Sequence, residues 1–107
     1  MATLKIKLVI DEEEKVFTAP FIKARMYRRA LELMKEYDLE TNMSLEALDA
    51  LVEFTAEVFG NKFTDEQLYD GFPGPELNDK LIEVIQAVTG TAYKESKENL
   101  DNVTSKN

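Results

Sequence analysis

Side chains that could do chemistry are plentiful in one class and missing in the others. The chain has 21 acidic residues and no histidine or cysteine. Two carboxylates can act as general acid and base. Here every acid sits in a surface-like pattern and none is isolated in an apolar run, so a carboxylate-pair enzyme is disfavoured. The acids of residues 11–14 could offer oxygens to a cation, but the segment lacks the glycine and spacing of a calcium loop and reads as a solvated turn. Ser44 has no histidine to activate it and is placed as a helix cap. The glycines at 60, 71, 74 and 90 fall at helix ends and turns, and none forms a phosphate-binding loop. Lys23, Arg25, Arg28 and Arg29 could touch phosphate. Glu32 and Glu36 stand close to them, however, and a net charge of −8 opposes nucleic acid and anionic membranes. The residues therefore imply no enzyme, no cofactor and no metal. The lack of cysteine excludes disulfides and fits a reducing compartment.

The elements that would position these groups follow from periodicity. Residues 3–10 alternate, with Leu4, Ile6, Leu8 and Ile10 on one side and Thr3, Lys5 and Lys7 on the other, which predicts a half-buried strand. A charged turn over 11–14 and a second strand over 16–19 complete a hairpin, its turn type left open because no Asn-Gly or Asp-Gly is present. A helix is predicted over 21–37, its stripe made by Ile22, Met26, Ala30, Leu33 and Tyr37 and widened by Leu31 and Met34. Ser44 caps a second helix running to Phe59. Leu45, Leu48, Leu51, Val52, Thr55, Val58 and Phe59 are expected inward, and Glu46, Asp49, Glu53 and Glu57 form an acidic outer strip.

Residues 58–72, VFGNKFTDEQLYDGF, are dense in helix punctuation. Gly60 ends one helix, Thr64 and Gln67 have capping-box spacing, Phe63 and Leu68 stand as a hydrophobic staple, and Gly71 stops a short helix. After a Pro-Gly-Pro turn, Leu77, Leu81, Val84, Ile85 and Val88 predict a last helix, with Pro75 at its first position and Gly90 at its end. The expected fold is α+β, an N-terminal β-hairpin packed on three to four helices. Residues 1–90 form one domain, and the polar residues 91–107 are expected to be a disordered tail.

Four rings, Phe59, Phe63, Tyr69 and Phe72, concentrate in the 58–72 segment, which points to a packing or docking element. By default such residues are core. Methionine and aromatic side chains also adapt well to partners, and the candidate partner-binding residues are Met26, Tyr27, Met34, Phe54, Phe63, Tyr69 and Phe72. The expected face joins the first helix to the 63–72 segment. Charge is uneven: residues 21–40 carry five bases and four acids, and residues 41–70 carry one base and seven acids. The acidic strip also admits a second reading, a decoy that sequesters a DNA-binding protein. No apolar run is long enough to span a membrane, and the N-terminus lacks the apolar region of a signal peptide.

The lysine-rich first strand, residues 16–33 (VFTAPFIKARMYRRALEL) and the 58–72 segment together resemble the tail assembly chaperones of long-tailed phages of Gram-positive hosts, over roughly 4–90. The resemblance implies a non-enzymatic bacteriophage or prophage protein in the cytoplasm of the host. It would coat the tape measure protein, keep its apolar helices from aggregating, and leave before the virion is complete. In some relatives a ribosomal frameshift adds a segment that recruits tail tube protein, and this chain would be the short product. A homo-oligomer is compatible with that role.

Overall fold

A two-stranded antiparallel hairpin opens the fold, β1 (Lys5–Ile10) and β2 (Glu13–Thr18), with Ile10 opposite Glu13 and Lys5 opposite Thr18. The chain is described by a computed structural model over residues 4–39 and 43–90, so the tail at 91–107 and part of the 38–42 connection lie outside the described residues. β2 starts three residues earlier than the sequence suggests. The turn shrinks to Asp11 and Glu12, both with positive φ (55° and 67°). Positive φ at both central residues is the mark of a type I′ turn, whose twist matches that of the strands. Acidic side chains hold a conformation that Asn-Gly would usually supply, which is why the pattern did not announce it.

The alternation of side chains is as expected: Leu4, Ile6 and Leu8 are buried and Lys5 and Lys7 exposed. The backbone alternates too. The Ala19 amide donates to the Leu4 carbonyl at 2.9 Å. Even-numbered residues of β1 therefore face β2, and the polar groups of Lys5, Val9 and their like face the outer edge. That edge is covered. Lys80 Nζ donates to the Lys5 carbonyl at 2.6 Å, and Gly71 lies so close that a Cβ there would sit 2.5 Å from the Val9 oxygen. On the opposite edge Lys62 Nζ donates to the Thr18 carbonyl at 3.1 Å. Exposed strand edges invite pairing with other chains, and these contacts blunt them.

Four helices follow: α1 (Ala24–Glu36), α2 (Leu45–Val58), α3 (Asp65–Gly71) and α4 (Gly74–Thr89). α1 packs on α2 and α4, while α3 bridges β1 and α2. α2 thus has neighbours on three sides, so its buried arc is wider than one stripe and takes in Ala47, Phe54 and Ala56 besides Leu51, Val52 and Val58. Leu45, expected inward, is 69% exposed, while Ala47 in the same turn is buried, so Leu45 lies on the outer side of that turn. The helix boundaries obey local chemistry. Ser44 accepts from the Ala47 amide, and Thr64 and Gln67 form the full capping box. α2 ends in a Schellman motif, the Gly60 amide bonding the Glu57 carbonyl and the Asn61 amide the Ala56 carbonyl, with Gly60 at φ 76°. Pro73 takes the N-cap of α4, so Gly74 is its first residue and Pro75 its second.

The rings of the 58–72 segment serve mainly as packing. Phe63 meets Phe17 of β2 edge-on at 5.1 Å and Phe59 at 5.6 Å, which ties the hairpin to the end of α2. Among the described residues one core side-chain atom is unsatisfied: the Thr55 hydroxyl is buried with no hydrogen-bond partner there. Thr55→Val keeps the shape and removes a desolvated polar group, so the variant should be more stable by about 1 kcal/mol in urea denaturation.

Candidate partner-binding surface

The seven candidate residues separate into an inner and an outer set. Phe54 and Phe63 are 1% and 2% exposed and belong to the core, so they offer no surface to a partner in this fold. Density of aromatic residues along a chain says nothing of which way each ring points, and here Phe63 packs on Phe17 of the hairpin and on Phe59 while Phe54 lies in the core cluster. Met26 and Phe72 are half-buried and packed against the core. Tyr27, Met34 and Tyr69 are exposed. Of the elements that carry the seven, α1 packs on α2 and α4, and α3 packs on β1 and α2.

What the structure does assemble is a stripe on α1. Tyr27, Leu31 and Met34 are 43%, 45% and 43% exposed. Spacings of four and three residues put them on one side of the helix, within about 60° of each other at roughly 100° per residue. Leu31 and Met34 were expected to widen the buried stripe. They do extend the apolar arc, but both stay exposed instead of joining the core. The stripe runs at Met34 into a half-open cleft of about 230 Å³ between α1 and α4, lined also by Tyr37, Asp38, Leu39, Ile82, Ile85 and Gln86. Sequence reasoning named Met34 and missed Ile82 and Leu39, which come together only through the packing of α4 on α1. Phe21, at the approach to α1, is exposed as well.

The whole chain, residues 1–107, matches the family model described as phage tail chaperone protein. The chain belongs to that family. No curated protein and no solved structure matches it. The chaperone has the α+β fold that the periodicity implied, a hairpin followed by four helices.

Charge on the chaperone is segregated by element. α1 has four cations and two acids, α2 four acids and no base, and α3 three acids and no base. Glu46, Asp49, Glu53 and Glu57 are exposed in one row along α2. Among the described residues no group of three or more carboxylates is placed to hold a metal ion, and no helix is long and apolar enough to cross a membrane.

Tyr69 binds this acidic side: its hydroxyl donates to Asp49 Oδ1 and joins α3 to α2. Its phenol is raised above the ordinary value of 10.0, first by burial, then by the bond to Asp49 and the charges of Asp49 and Asp65. A raised folded-state value leaves this contribution to stability complete below about pH 10. It is lost as pH climbs further, because the unfolded chain gives up its proton first. Tyr69→Phe removes that component. Its stability should decline less between about pH 9 and about pH 11 than that of the parent chain, measured by urea denaturation at each pH.

Proposed function

We propose that this tail chaperone binds the tape measure protein of the phage tail, covers its apolar helices and keeps it soluble until the tube assembles. The work is done in the cytoplasm of the bacterial host, without a chemical step, and the chaperone leaves before the virion is complete. The observation that carries this reading is the Tyr27–Leu31–Met34 stripe opening into the α1–α4 cleft. An apolar strip on a folded domain marks a docking site, and a groove between helices receives the apolar face of another helix. The strip is short, so each copy contributes modest affinity, and many copies along one long partner supply the rest. The acidic α2 and α3 give the loaded complex a negative surface that keeps it soluble. A frameshifted longer form would add a contact to tail tube protein.

Co-expression tests the reading. The tape measure protein made with the chaperone should stay in the soluble fraction, and made alone it should pellet. An equal soluble fraction in both cases would sink the idea.

A further inference from the structure

We infer that the helix received on α1 is bordered by acidic residues, so that the chaperone selects among apolar helices by charge. This rests on the reading of the stripe as the docking surface and adds the chemistry of what docks.

Four observations lead there. First, going round α1 from its core side at Ala30, the order is Met34, Tyr27, Leu31 and then Lys35 and Arg28, each of the last two about 40–60° beyond Leu31. Cations therefore border the exposed stripe along its side away from the core. Second, they stand on a chain of net charge −8, in the one described helix whose bases outnumber its acids. Third, they are not used up internally. Arg28 and Arg29 share Glu32, at 3.5 and 3.4 Å, and Lys23, Arg25 and Lys35 make no ion pair among the described residues. Fourth, some sit where a helix does not want them. Lys23 is the N-cap with no side-chain cap bond, Arg25 follows in the first turn, and that turn has no acid. The N-terminus is the positive end of the helix dipole, where cations are unfavourable and Ser, Thr or Asp are preferred. Residues kept against local preference are where function shows.

A second copy of the chain carries its exposed apolar stripe on α1 and its acidic rows on α2 and α3, so it offers no single helix with both. The acidic helix α2 turns Leu51, Val52, Phe54 and Val58 inward and leaves Leu45 at its edge. A foreign amphipathic helix that carries both an apolar stripe and acidic borders fits the surface on both counts.

The probes are two designed helical peptides with the same leucine stripe, one bordered by glutamate and one by lysine. Each is titrated by fluorescence anisotropy against the full chain. The glutamate peptide should bind about ten-fold tighter at low salt, with the gap closing at high salt. Arg28→Glu with Lys35→Glu should reverse the preference. Lys23→Asp should raise the Tm and yet weaken the glutamate peptide, a pairing that a purely structural lysine would not give. Equal binding of both peptides, lost in Leu31→Asp, would overturn the charge inference and leave the docking surface standing. If Leu31→Asp leaves both affinities unchanged, the docking surface itself falls. Concentration-dependent self-association abolished by Leu31→Asp would make a second copy the occupant and also overturn the inference.

Discussion

Phe54→Ala should cost the chaperone about 3–5 kcal/mol of folding stability, a large part of what a domain of this size possesses. Phe54 is among the largest fully buried side chains and lies on the helix that every other helix touches. Truncation removes its burial and leaves a cavity that the packed surroundings close only in part. Urea denaturation should show the midpoint falling at an unchanged slope. Tyr27→Ala on the exposed stripe should stay within about 0.5 kcal/mol of the parent. The contrast matters for function, because both residues were candidates for partner contact. Loss of solubilising activity in Phe54→Ala would track its unfolded fraction, whereas loss in Tyr27→Ala would occur in a folded protein.

Gly71→Ala should destabilise by about 3 kcal/mol, the upper end for overpacking. The added Cβ would meet the Val9 oxygen at 2.5 Å and the Val9 nitrogen at 3.0 Å. Both are backbone atoms, so no side chain can swing aside, and α3 must lift from β1. The φ of Gly71 is not among the positive ones, so the cost comes from contact and not from backbone strain. Hydrogen exchange should report it locally: amides of β1 facing α3 should exchange faster in the variant, while the middle of α2 keeps its relative protection.

Gly71 also shows where reading the sequence stops. Its punctuation at a helix end was legible, but the reason for glycine is a neighbour sixty-two positions away in the chain, at Val9. Local signals did better wherever the cause was local. The alternation Leu4, Ile6, Leu8, the Ser44 cap, the Thr64–Gln67 box and the Gly60 terminus each depend on residues within a few positions, and each is present in the fold. The site was harder. Periodicity placed Leu31 and Met34 beside the apolar stripe of α1, but whether a neighbour covers them depends on how α4 lies against α1. The same ambiguity put Phe54 and Phe63 in the candidate set, since an aromatic residue reads alike whether it faces core or partner. The hairpin turn was missed for another reason: Asp11 and Glu12 adopt positive φ without the residues that usually advertise it.

The central claim is that the α1 stripe is covered when the chaperone holds its client. The chain has no native cysteine, so a single introduced thiol reports on one place. In the free chain both Leu31→Cys and Leu45→Cys should react readily with a maleimide, since both positions are exposed. In the complex with the tape measure protein, the thiol at position 31 should become protected and the one at 45 should react as before. Equal labelling of position 31 in free and bound chaperone would contradict the account.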